Sequence, residues 1–151
     1  MNEEENYKAS CFCGDVQFTL SGDPELMAYC HCNSCRHWSA GPMSAFTLWK
    51  PEAVNVTKGL DNVAAFAKNP GTNDETLNSN RQWCKTCGGH VYTDHPGMGL
   101  IDVPTAVITG FVFKPAFHVH YQESVHAVLD GLPKFKDLPA EAGGSGDTLT
   151  E

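Results

Sequence analysis

The sequence predicts a mainly β fold, a compact zinc-binding β-sheet domain. Three observations carry that expectation. Short runs alternate apolar and polar residues with the two-residue period of a half-buried strand. Glycine and proline punctuate them, with 14 glycines and 9 prolines in 151 residues. Seven cysteines fall in three tight clusters whose spacing suits a metal ion far better than disulfides.

Taken in order, Val16, Phe18 and Leu20 alternate with Gln17 and Thr19 and predict a strand, which Ser21-Gly22-Asp23-Pro24 breaks. Phe46 and Leu48 alternate with Thr47 and Trp49 until Pro51. Val54 and Val56 flank Asn55 in a further short strand before Lys58-Gly59. Asp61 is placed to cap a short helical turn running through Val63, Ala64 and Ala65 to Phe66. Pro70-Gly71-Thr72-Asn73 reads as a loop. His90–Thr93 reads as a strand leaving the last cysteine cluster. Thr105–Phe113 and Phe117–Tyr121 are rich in β-branched and aromatic residues and predict strands.

The length fits one domain. Its expected bounds are a disordered N-terminus over 1–6, a folded zinc domain over 7–138, and a flexible acidic tail over 139–151. The net charge is −8, arginine occurs only at Arg36 and Arg81, and lysines are scattered, so no basic stripe marks nucleic acid as a partner. No run approaches the ~18 apolar residues of a membrane span, so no membrane partner is expected. The Met-Asn-Glu-Glu-Glu start has the wrong charge for a secretory or mitochondrial signal, which leaves a cytoplasmic location as the expectation. In that reducing compartment, paired cysteines read as metal ligands.

The clusters are Cys11-Phe12-Cys13-Gly14, Cys30-His31-Cys32-Asn33-Ser34-Cys35 and Cys84-Lys85-Thr86-Cys87-Gly88. Two end in glycine, which permits the positive φ of a sharp turn just after the ligands, so that backbone amides face the sulfurs. Cys11, Cys13, Cys84 and Cys87 are therefore expected to form one four-thiolate structural zinc site. Cys30, Cys32 and Cys35 remain, crowded enough to share a second ion. Three ligands leave a coordination position open, as in catalytic zinc sites. The alternative is closure by a histidine, with His31, His37 and His90 as candidates. Two zinc ions in all are expected.

Three thiolates leave Zn²⁺ with a net charge of about −1, so activating water is not its easiest task, and a soft exogenous thiolate is its natural fourth partner. Arg36, directly after Cys35, is the candidate cation to offset that charge and the candidate catalytic residue. A zinc deaminase would need His-x-Glu ahead of Pro-Cys-x-x-Cys. Neither occurs, and no carboxylate lies between Cys30 and Lys50.

The motifs Cys11-Phe12-Cys13-Gly14-Asp15-Val16, Cys30-His31-Cys32-x-x-Cys35-Arg36, Gly41, and Arg81 ahead of Cys84-x-x-Cys87-Gly88 resemble the glutathione-dependent formaldehyde-activating enzyme (GFA) family, grouped also with centromere protein V. Pro115-Ala116-Phe117-His118-Val119 and Asp130-Gly131-Leu132-Pro133-Lys134-Phe135 resemble the family's closing segment. The resemblance implies a β-rich zinc fold related to a guanine-nucleotide-exchange chaperone, and the same division of cysteines into a structural and a catalytic zinc. It also implies a carbon–sulfur lyase joining glutathione to formaldehyde to give S-hydroxymethylglutathione. The chain departs from the usual pattern at His37-Trp38, and at His120, Tyr121 and His126, which are candidates to line a pocket or to serve as ordinary strand residues. Glutathione's carboxylates call for cations, and Arg36, Lys50, Arg81 and Lys85 are available. The other readings are a non-catalytic zinc module that binds an unidentified protein partner, and a zinc buffer or redox sensor.

Overall fold

A computed structural model describes residues 6–68 and 79–151. The expected loop at Pro70–Asn73 and the acidic start at Glu3–Glu5 lie outside them. Among the described residues the fold is mainly β, with ten strands, one α-helix and short 3₁₀ turns. The sequence shows no linker, yet the chain divides into two compact units, each built from separated segments. One takes Met1–Glu25 and Thr47–Val112, the other Leu26–Phe46 and Phe113–Glu151.

In the first unit, β1 (Asn6–Ser10), β2 (Gln17–Ser21) and β5 (Val54–Lys58) form an antiparallel sheet in the order β1-β2-β5. β2 buries Phe18 and Leu20 on one face, as its alternation demands. Four further strands, β6 (Val63–Ala67), β7 (Asn80–Cys84), β8 (His90–His95) and β9 (Leu100–Pro104), pair antiparallel in chain order. The apolar core lies here: Ala9, Val16, Phe18, Leu20, Trp49, Val91, Val103 and Ile108 pack together with Cys11 and Cys84.

Three expectations need correction. Val63–Phe66 is not a helical turn but the body of β6. The helical hydrogen bonds are confined to Leu60–Asn62, and β7 supplies the backbone partners of the next five residues. Thr105–Phe113 is not a strand: Pro104 leads into a 3₁₀ turn at Thr105–Val107, leaving one bridge between Ile108 and Ala9. In β4 (Ser44–Trp49), Thr47, Leu48 and Trp49 are all buried, so the alternation there does not separate a wet from a dry face. Trp49 Nε1 donates to Thr47 Oγ1 at 2.7 Å, and that hydroxyl donates to the Val103 carbonyl at 2.7 Å, which satisfies both buried polar groups.

In the second unit, β3 (Leu26–Cys30) pairs in parallel with β10 (His118–Val119), setting Tyr29 beside His118 and Cys30 beside Val119. The helix α1 (Asn33–Ser39), which no sequence signal marked, starts at Cys32 and ends at Ala40 in the left-handed region, φ 53°. The acidic tail, expected to be mobile on composition, has internal partners. Leu149 N donates to Lys134 O at 2.7 Å, Ser145 N and Oγ bond to Asp137, and Glu151 Oε1 meets Lys134 Nζ at 2.7 Å. Composition counts apolar surface, and these contacts are polar.

Two candidate metal centres

Cys11, Cys13, Cys84 and Cys87 bring four sulfurs within 4.8 Å of one another. Cys11 Sγ lies 3.7 Å from Cys13 Sγ, which lies 3.8 Å from Cys84 Sγ. A tetrahedron with Zn–S bonds of about 2.3 Å has an edge of about 3.8 Å, so this donor set fits a zinc ion. Two tight turns build it. Gly14 and Gly88 take φ 86° and 74°, conformations that a side chain would strain. The turns aim amides at sulfur: Val16 N at Cys11 (3.3 Å), Asp15 N at Cys13 (3.4 Å) and Gly89 N at Cys87 (3.3 Å). Asn62 Nδ2 adds a donor to Cys84 at 3.5 Å. The Gly89 amide leads in drawing the Cys87 thiol down to about 6. For Cys13 the Asp15 amide pulls downward, but desolvation and the Cys87, Cys11 and Cys84 sulfurs outweigh it and raise the thiol to about 12.

Cys30, Cys32 and Cys35 bring three sulfurs within the same 4.8 Å, and among the described residues no fourth His, Cys, Asp or Glu atom joins them. Cys30 ends β3, Cys32 caps α1 with its sulfur accepting from Cys35 N at 3.3 Å, and Cys35 sits in the first turn of the helix. The strand-to-helix turn is what folds six residues into one donor set. Hydrogen bonds from Cys30 and Cys35 draw the Cys32 thiol down to about 3, while the same crowding, with burial, pushes Cys30 far above the usual thiol range. Sulfurs this close cannot all ionise unaided, and a cation among them would favour the thiolate form of each.

His31, one of the three closing candidates, points elsewhere. Its side chain is fully buried, and its Nε2 lies 2.8 Å from His118 Nδ1. His118 is also fully buried, and its Nε2 lies 2.8 Å from Asp130 Oδ2. Asp130 Oδ1 in turn accepts from Lys134 Nζ at 2.7 Å, and that lysine is 2% exposed. Tyr29 stacks on His118 at 4.7 Å, and Tyr121 packs edge-on against His31 at 4.9 Å. Burial leads in lowering His31 to about 4, and the charges of Lys134 and Arg36 add to it.

The remaining predicted residues are distributed as follows. Arg36 lies on α1 with Nε donating to His31 O at 3.0 Å. Lys50, Arg81, Lys85 and His90 belong to the first unit, with Lys50 near Glu25 (3.8 Å) and Lys85 donating to Asp61 O. His37 and His126 are exposed, His120 pairs with Glu123 at 3.7 Å, and Tyr121 is buried with its hydroxyl accepting from Val128 N. The sequence reading missed His118, Asp130 and Lys134 as a connected set, although all three lie in the closing segments. It also missed Glu123, whose carboxylate accepts from Asn33 N at 3.1 Å and so brings an acid to the start of α1.

A crystal structure of a Rhodobacter sphaeroides protein is similar to this fold, with a TM-score of 0.52, 20% identity, and coverage of 70% of this chain and 90% of that one. A Schizosaccharomyces pombe protein named an uncharacterized lyase is 26% identical over 86 residues, which are 57% of this chain and 56% of that protein. The match thus spans little more than half of that relative. The family model described as glutathione-dependent formaldehyde-activating enzyme, GFA, matches residues 6–123. With most of its length matched and both cysteine sets assembled, the chain belongs to the GFA family.

Proposed function

We propose that the protein is a zinc-dependent carbon–sulfur lyase, a thiol-adduct enzyme that joins glutathione or a similar small thiol to formaldehyde or a related electrophile. The family membership and the lyase name of the yeast relative support this reading. The observation that carries it is the three-sulfur set of Cys30, Cys32 and Cys35 with no fourth protein donor among the described residues. Cys11, Cys13, Cys84 and Cys87 hold a structural zinc, and Cys30, Cys32 and Cys35 a catalytic one.

A zinc ion held there supplies a position that favours the thiolate form of an incoming thiol. In the reaction the substrate sulfur bonds to the carbonyl carbon, the carbon–oxygen π bond breaks, and the thiol proton ends on that oxygen. No redox partner is required. Cys30, Cys32 and Cys35 hold the site, and the Cys35 amide stabilises the Cys32 sulfur. Arg36, tethered to the His31 carbonyl, offsets negative charge and is the cation on α1 for a substrate carboxylate. The chemistry suits the reducing cytoplasm, where small thiols stay reduced.

The test is titration of the cobalt-substituted protein with glutathione. Altered sulfur-to-cobalt charge-transfer bands at the second site are expected, and unchanged bands overturn thiol binding. A second reading is a zinc module that binds a protein partner, for which Phe12, 93% exposed between Cys11 and Cys13, is the apolar side chain to probe. It predicts that Phe12→Ser abolishes partner capture while leaving the glutathione response intact.

A further inference from the structure

His31 is the residue between two of the three cysteines, and it is tethered at three points. Its amide donates to Val119 O at 3.1 Å, its carbonyl accepts from Arg36 Nε at 3.0 Å, and its ring meets His118 at 2.8 Å. Side chains alternate across an extended segment, so the ring lies on the face opposite the Cys30 and Cys32 side chains. Whatever holds the ring therefore holds the two peptide units that present those sulfurs.

The hydrogen bonds of the ring chain have a direction. Asp130 accepts from Lys134 Nζ and from Leu132 N (3.0 Å) on one oxygen, so it is an ionised acceptor and His118 Nε2–H must donate to the other. His118 Nδ1 then accepts from His31 Nε2–H. His31 Nδ1 is left as a bare nitrogen, buried and with no hydrogen-bond partner among the described residues. The opposite order would bury an orphaned N–H, the rarer kind of unsatisfied group. Two imidazoles and a lysine are costly to bury, and an apolar trio would fill the same space without that cost.

We propose that Asp130 and His118 are positioning residues which, through the His31 ring, hold the Cys30–His31–Cys32 segment in the shape that its three-sulfur site requires. This rests on the reading that those cysteines bind a metal. His118→Gln and His118→Asn separate the two ends of the chain. The Gln amide reaches towards Asp130 and abandons His31, whereas the Asn oxygen lies near the Nδ1 position and still accepts from His31.

The experiment is Co²⁺ binding to the full chain against a competing chelator, read by d–d bands. His118→Gln is expected to weaken the second equivalent about tenfold or more and to shift its bands. His118→Asn retains most of the affinity, and the first equivalent is unchanged in both. Equal losses in the two variants, or weakening of both equivalents together, indicate packing alone and overturn the proposal. If wild-type protein binds two ions and neither variant changes the second, the positioning role falls while the metal reading stands. If wild type binds a single equivalent, both fall. Should the variants not fold, imidazole ¹⁵N shifts of the wild-type protein decide: a protonated Nε2 and bare Nδ1 on His31 support the relay, and the reverse tautomer overturns it.

Discussion

The two units solve opposite problems with the same element. In the first, four sulfurs from turns 71 residues apart, as Cys13 and Cys84 are, close around one point beside an apolar core. In the second, three sulfurs crowd onto one strand-to-helix turn, and the deepest side chains include His31, His118 and Lys134. A metal in the first unit replaces a long-range contact. One in the second replaces none, because its ligands are already neighbours in sequence. Stability should therefore depend on the first set and chemistry on the second.

The largest test of that contrast is metal removal. Structural zinc in peptide systems is worth roughly 10–16 kcal/mol, against about 5–15 kcal/mol of stability for a whole domain. Chelation, or Cys84→Ser, is expected to abolish the cooperative melting transition in circular dichroism. An intact transition after verified metal loss would break the comparison. Next, Phe18→Ala empties a site 1% exposed in the first core and should cost about 3–5 kcal/mol in denaturant unfolding.

Cys32→Ser sharpens the contrast from the other side. Serine is itself a good N-cap, so α1 keeps its start. One metal equivalent should be lost, with stability changed by no more than about 1 kcal/mol. Loss of the fold in this variant would place structural weight on the second set.

Acid acts on the second unit. Desolvation raises the Asp130 carboxyl, but Lys134 and His118 outweigh it and hold it well below the usual range. Ser145 lowers Asp137, and Lys134 lowers Glu151. A carboxyl depressed on folding means that the folded state binds fewer protons than the unfolded one. Its stabilisation is complete above the unfolded value of about 4 and is lost as pH falls below it. Hydrogen-exchange protection at Leu132 and Ser145 should therefore fall below about pH 4, and an acid-insensitive profile in Asp130→Asn would identify the main contributor. The smallest effect belongs to Ala40, whose φ of 53° favours glycine at a helix end. Ala40→Gly should raise stability by less than about 1 kcal/mol.

Cysteine spacing and the glycines after two clusters set the two glycine-ended pairs apart from the crowded trio, because short-range chain geometry decides which sulfurs can converge within a turn, whereas the meeting of the two pairs across 71 residues belongs to the tertiary fold. Alternation likewise marked β2 and β5, whose faces differ in exposure. What the sequence could not display was context. Val63–Phe66 became a strand because β7 offered backbone partners, and Thr47 and Trp49 became buried because the Val103 carbonyl satisfied the threonine hydroxyl that holds the indole. The Asp130–His118–His31 chain joins residues from three separate stretches, and nothing local in any of them announces the others. Ligand convergence within a turn is a local steric matter and can be read from spacing. Buried hydrogen bonds between distant side chains exist only once the backbone has brought them together, and that was left to the tertiary fold.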